Sequence, residues 1–168
     1  MGVECAVLPT ALLSTHTAFP APAVTDLSGF TRPILDHWET IGAKFDGILT
    51  GYLANEDQMA LALELIDRFG DNAVVVQDPA MGDHGRLYSG IGPEMVDLHR
   101  RLCAQADLVL PNLTEAQLLT GLDTDDPAVL VRALENMGCR QVLLTGISTR
   151  PGSIGFYCTG KGLYQAPT

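Results

Sequence analysis

Short apolar runs of strand length alternate with helix-length amphipathic segments along this chain, and that order restricts the folds open to it. The segments 3–8 (VECAVL), 45–53 (FDGILTGYL), 73–77 (AVVVQ), 107–111 (DLVLP) and 141–145 (QVLLT) read as strands. Between them, 32–42, 55–70, 93–106, 114–121 and 126–138 read as helices. The strands are apolar on consecutive residues, as expected of a parallel sheet buried on both faces. A three-layer αβα architecture with a mostly parallel central sheet follows. Segment 55–70 is the clearest helix, with Asn55 as N-cap, Glu56 and Asp57 in the first turn and Gly70 as its stop. Asp126 and Pro127 open the last helix and Gly138 ends it. Residues 153–167 read as a hairpin turning around Gly160 and Gly162. No repeat, linker or low-complexity segment interrupts the 168 residues, which implies one domain over 1–168.

Composition excludes several partners. Ten Lys and Arg face 20 Asp and Glu, a formal charge of −10. With no basic run, neither nucleic acid nor an anionic membrane is an expected partner. A phosphorylated ligand would need its positive field from backbone N–H groups or from a metal. Cys5, Cys103, Cys139 and Cys158 form no C-x-x-C pair and no zinc spacing, so reduced, mostly buried thiols are expected. The stretch 5–25 lacks Asp, Glu, Lys and Arg but carries prolines, threonines and His16, so it is no membrane span. The first basic residue is Arg32, which leaves no signal-peptide n-region. A soluble, cytoplasmic chain is the expectation.

In open α/β sheets, ligands bind beyond the carboxyl ends of the strands. His16 and Thr17 follow the first expected strand, Tyr52 closes the second, and Asp78 and Asp83 close the third. Asn112 and Glu115 follow the fourth, and Thr145 ends the fifth. Each has a plain structural explanation: Asn112 and Glu115 fit a capping box, while Asp78-Pro79 and Gly82-Asp83 suit turns. His37, His84 and His99 read as surface or turn residues with no role. Together, however, Asp78, Asp83, Asn112 and Glu115 offer hard oxygen ligands suited to Mg²⁺, held directly or through water. Phosphates follow magnesium, and Thr145 is a plausible hydroxyl contact to a nucleotide. His16, Thr17 and Tyr52 would line a less charged pocket for a planar ring. The sequence has no P-loop, G-x-G-x-x-G, H-E-x-x-H or nucleophile elbow, so nucleotide chemistry would require a non-Walker fold.

The segments PTALLSTHTAF (9–19), FDGILTGYL (45–53), DPAMGDHGRLY (78–88), ADLVLPNLTEAQLLTG (106–121) and VLLTG (142–146) occur here in the order seen in pyridoxal/pyridoxamine kinases. The chain resembles that family, of the ribokinase-like superfamily, over nearly its whole length. The resemblance implies transfer of the ATP γ-phosphate to the 5′-hydroxymethyl group of pyridoxal, pyridoxamine or pyridoxine. It places the residue matching Asp78 near a monovalent cation, such as K⁺, and the phosphates. Matches to Asp83 and Asn112 lie near the phosphates and metal, the match to Glu115 holds a metal-bound water, and the match to Thr145 contacts nucleotide. Matches to His16, Thr17 and Tyr52 line the vitamin pocket, and relatives are commonly homodimers.

One departure from the family is chemical. Family members start with an additional strand and later carry a G-x-G-D motif, whose aspartate deprotonates the attacking hydroxyl beside an anion hole. No G-x-G-D occurs here, so no residue of this chain is expected to be the catalytic base. The chain reads as the central portion of a ribokinase-like domain. Two other readings stand beside a vitamin B6 kinase: a hydroxymethylpyrimidine kinase, which shares D-P-x-M and P-N-x-x-E, and a catalytically dead binding domain.

Overall fold

In a computed structural model, residues 2–15, 19, 21–148 and 151–167 are described. Its elements are β1 (Ala11–Leu13), β2 (Val24–Asp26), α1 (Ser28–Thr40), β3 (Gly47–Thr50), α2 (Glu56–Phe69), β4 (Val74–Gln77), β5 (Gly82–Asp83) and β6 (Arg86–Leu87). They are followed by α3 (Glu94–Cys103), β7 (Leu108–Val109), α4 (Leu113–Thr120), α5 (Pro127–Asn136), β8 (Leu143–Ile147), β9 (Ser153–Cys158) and β10 (Gly162–Pro167).

β3, β4 and β7 pair in parallel, in that order. A parallel bridge between Val109 and Val142 carries the sheet on to β8, where β9 and β10 add antiparallel strands. This is the expected α/β fold with a parallel centre. Ile48, Val75 and Val109 are buried with Met59, Leu102 and Leu144. Leu49 and Val74 point to the other face and stay 71% and 57% exposed, so the helices cover this part of the sheet on one face.

Local signals explain most boundaries. Asn55 caps α2 by accepting a hydrogen bond from the Gln58 N–H, and Asp126 caps α5 from Ala128 and Val129. Gly138, at φ +102°, takes the chain out of α5 in a conformation that favours glycine. The 153–167 hairpin is present, with Gly160 and Gly162 both at positive φ.

Three expectations are corrected. Residues 3–8 form no strand, and Val3 and Val7 lie exposed, with no described strand paired to that segment. A small hairpin forms instead from β1 and β2, inside the Pro/Thr/Ala-rich stretch. The first helix begins at Ser28, four residues before the expected start, and runs through Pro33. Its early turn is held by the Thr31 hydroxyl, which donates to the carbonyls of Pro9 and Leu27. Finally, His99 is not a surface residue. It is fully buried in the α3 stripe with Met95, Leu102 and Cys103, whereas His37 and His84 are exposed as expected.

Candidate active site at the sheet rim

The rim is assembled by strand ends bonded to one another. The Asp78 N–H donates to the Thr50 carbonyl at 3.0 Å, tying the end of β4 to β3. Leu110 N–H donates to Gln77 O, and Thr145 N–H to Pro111 O, both at 2.8 Å. The Thr145 hydroxyl also reaches Pro111 O at 3.3 Å, which places it next to Asn112. Because residues 3–8 are not a strand, four strands rather than five deliver these groups: β3, β4, β7 and β8.

Between Asp78 and α3 the chain folds into the β5–β6 hairpin, which carries Asp83. His84 and Gly85 both have positive φ, as a two-residue hairpin turn of the primed type requires. Gly82 is needed for a different reason. A Cβ there would sit 2.6 Å from the Arg86 carbonyl oxygen, so no side chain fits. The hairpin is fastened to α4 by two bonds: Asn112 Nδ2 donates to Gly82 O at 2.9 Å, and Gly85 N–H donates to Thr114 Oγ1 at 2.9 Å.

Asn112 and Glu115 form the complete capping box. Asn112 Oδ1 accepts from Glu115 N–H, and Glu115 Oε2 accepts from Asn112 N–H at 2.8 Å. Glu115 Oε1 also accepts from Met81 N–H at 3.2 Å. The structural explanation of this motif is therefore correct, and it coexists with a position on the rim. These bonds occupy the Asn112 and Glu115 N–H groups and set the Glu115 carboxylate where an anion would have to approach. A cation is the better complement.

Electrostatics point the same way. Glu115 is 2% exposed, and burial, reinforced by the Asp78 carboxylate, pushes its pKa up to about 7. Asp78, half-buried, is also raised by desolvation. Asp83 is exposed, accepting from His84 N–H at 2.7 Å. Among the described residues, no Lys or Arg pairs with Asp78, Asp83 or Glu115. The Tyr88 phenol feels all three carboxylates, which raise its pKa beyond the effect of burial. Tyr88 thus belongs to the site and was not singled out from sequence, although it ends the same 78–88 segment.

A divalent cation such as Mg²⁺ suits this donor set: hard oxygens, an excess of negative charge and, among the described residues, no Lys or Arg paired to it. No three His, Cys, Asp or Glu side chains among the described residues close into a chelating group. Since both Glu115 oxygens already accept backbone bonds, their remaining lone pairs fit contact through water better than a direct cage.

Tyr52 lies half-buried beyond β3, and burial raises the pKa of its phenol. The Thr10 hydroxyl donates to its carbonyl at 3.3 Å, which brings the β1–β2 hairpin beside it. That hairpin is anchored by Asp26, which accepts from Asn55 at 2.6 Å and from Gln58 at 2.8 Å. Hydrogen bonds from Ser28, then from Asn55 and Gln58, hold Asp26 down at about 2. His16 and Thr17 fall between β1 and β2 in sequence but lie outside the described residues.

A family model described as phosphomethylpyrimidine kinase matches residues 34–166. The pyridoxal kinase of Arabidopsis thaliana is 28% identical over 159 residues, covering 88% of this chain and 50% of that protein. The pyridoxal kinase structure from Lactobacillus plantarum superposes with a TM-score of 0.82 at 33% identity, over 95% of this chain and 60% of that one. Pyridoxal kinase from Leishmania donovani, in complex with ADP and pyridoxamine, gives 0.71 at 27% identity, over 95% and 60%. The chain spans about half the length of the curated relatives it matches.

Proposed function

The chain belongs to the phosphomethylpyrimidine kinase family, and from that premise we propose that it carries the phosphate-holding rim of an ATP-dependent vitamin B6 kinase. The reaction is transfer of the ATP γ-phosphate to the 5′-hydroxymethyl group of pyridoxal, pyridoxamine or pyridoxine. One observation carries this reading: the hairpin that bears Asp83 is fastened by Asn112 to the start of α4, Glu115 bonds back to Met81 between Asp78 and that hairpin, and no Lys or Arg among the described residues pairs with the three carboxylates. The ADP in the Leishmania donovani complex supports nucleotide as the ligand class.

In this reading Asp78, Asp83 and Glu115 hold Mg²⁺, largely through water. Bound there, the ion would neutralise charge on the phosphates. Asn112 fixes the hairpin that carries Asp83 and orients Glu115. Thr145 offers its hydroxyl to the nucleotide, Asp78 lies nearest a monovalent cation such as K⁺, and Tyr88 donates its phenolic O–H toward the charged cluster. His16, Thr17 and Tyr52 line the ring pocket. The compartment is cytoplasmic, the chain is one domain over 1–168, and the active assembly is a homodimer. Among the described residues no helix is long and apolar enough to cross a membrane.

Phosphoryl transfer depends mainly on positioning and charge stabilisation. The cation-holding groups are present, but the G-x-G-D that would supply the proton acceptor and the anion hole is absent from the sequence. The 168-residue chain alone is therefore expected to phosphorylate pyridoxal at no more than a trace rate. A version extended to include such a segment should turn over with ATP and Mg²⁺. Robust Mg²⁺-dependent phosphorylation by the 168-residue chain would overturn this assignment of roles. The family model's description favours a second substrate, hydroxymethylpyrimidine. Comparing turnover of pyridoxal, pyridoxamine and hydroxymethylpyrimidine by the extended protein separates the two kinases. No turnover of any of them would leave a non-catalytic binding domain.

A further inference from the structure

Arg32, Arg68, Arg100 and Arg140 are each committed to carboxylates. Arg86 is not. It is exposed, and among the described residues no carboxylate pairs with it. Within the rim segments 50–53, 77–88, 110–115 and 143–147 it is also the only Lys or Arg in the sequence.

Its place follows from the register of the β5–β6 hairpin. Arg86 is the cross-strand partner of Asp83, and Leu87 that of Gly82. Facing residues of an antiparallel pair present their side chains on one face, and the faces alternate along each strand. Asp83 and Arg86 therefore leave the hairpin side by side, with Cβ atoms about 5 Å apart. Gly82 and Leu87 take the opposite face. That face lies on α4, since a Cβ on Gly82 would come within 3.3 Å of the Leu118 side chain. Hydrogen bonds from Asn112 to Gly82 O and from Gly85 to Thr114 Oγ1 hold the hairpin there. Arg86 thus projects from a fixed backbone, on the face turned away from α4, and whatever ligand Asp83 meets lies within its reach.

We propose that Arg86 binds phosphate, its guanidinium closing on the β-phosphate of the nucleotide whose magnesium Asp83 helps to hold. This rests on the reading of the rim as a magnesium–nucleotide site. The ion and the phosphates it bridges carry opposite charges, and the hairpin offers a carboxylate and a guanidinium side by side to match them. The planar fork of Arg gives two parallel N–H···O bonds to phosphate oxygens, which a lysine cannot do. In a chain of formal charge −10, it also lowers the repulsion that an incoming nucleotide meets. The consequence is selectivity for nucleoside diphosphates and triphosphates over monophosphates.

Calorimetric titration of the 168-residue chain with ADP and with AMP, both in Mg²⁺, tests the role. Arg86→Ala should weaken ADP binding by about tenfold and leave AMP binding as it is. Arg86→Lys keeps the charge without the fork and should recover only part of the loss. The melting midpoint should stay unchanged in both variants, because the side chain is exposed and unpaired. Undiminished ADP affinity in Arg86→Ala, with the wild-type chain binding Mg²⁺–ADP, would overturn the role of Arg86 alone. So would an equal loss for AMP and ADP. Absence of ADP binding by the wild-type chain would instead remove the reading of the rim, and Arg86 with it.

Discussion

Glu115→Ala is expected to lower the melting midpoint by about 10 °C, because the side chain closes the loop between β4 and α4. It accepts hydrogen bonds from the N–H groups of Met81 and Asn112. Leaving a buried donor unsatisfied costs about 1–3 kcal/mol. Removing the desolvated carboxylate returns part of that, for a net loss of about 2–4 kcal/mol. At about 2–4 °C per kcal/mol for a domain of this size, the shift reaches the stated value. Glu115→Gln keeps one acceptor oxygen and should lose less than half as much. Calorimetry on the three proteins checks the ranking; equal midpoints for wild type and alanine would mean that the capping box contributes nothing.

The second large effect is in the pH dependence of stability, where two buried groups oppose each other. Glu115 shifts from 4.5 to about 7 on folding, so the folded state holds its proton more tightly. Its contribution is fully present below 4.5 and is lost as pH rises through 7. His99 moves the other way, from 6.5 to about 4, because burial disfavours the imidazolium. Its contribution is present above 6.5 and is lost as pH falls through 4. Each shift corresponds to about 3 kcal/mol, and the two nearly cancel between pH 4.5 and 6.5.

Removing one partner should expose the other. Glu115→Gln is expected to lose about 3 kcal/mol, relative to wild type, on acidification from pH 6.5 to 4. His99→Asn, which keeps an acceptor for the Gln77 amide now bonded to the ring Nδ1 at 3.0 Å, should instead lose stability from pH 4.5 to 7. Urea midpoints across this range provide the comparison. Slopes of the same sign in both variants would contradict the assignment.

The sequence made the layout legible wherever a side-chain spacing or cap encoded it. α2 was readable because Asn55, the acidic first turn and the apolar stripe agree. The β5–β6 hairpin was read only as turn residues, since strands of two residues have no periodicity. Segment 3–8 misled because its apolar run, though strand-like, finds no pairing partner among the described residues. His99 was misplaced despite a usable signal: Met95, Leu102 and Cys103 stand at helical spacing around it, and a polar residue in that stripe is buried with them. The rim residues were legible from their positions after strands. Tyr88 was missed because its place depends on how the hairpin folds back beside three carboxylates.

The claim that these carboxylates hold a magnesium-bound nucleotide is tested most directly by calorimetric titration of the chain with ADP, with and without Mg²⁺, between pH 6 and 8. Binding should require Mg²⁺ and disappear with chelator. Since Glu115 must ionise to favour the cation, affinity should rise by up to about tenfold per pH unit below 7 and level off above it. Glu115→Gln should flatten that profile, and Asp78→Asn should weaken binding by about tenfold or more. ADP binding indifferent to Mg²⁺ and to both substitutions, or no binding at all, would contradict the account.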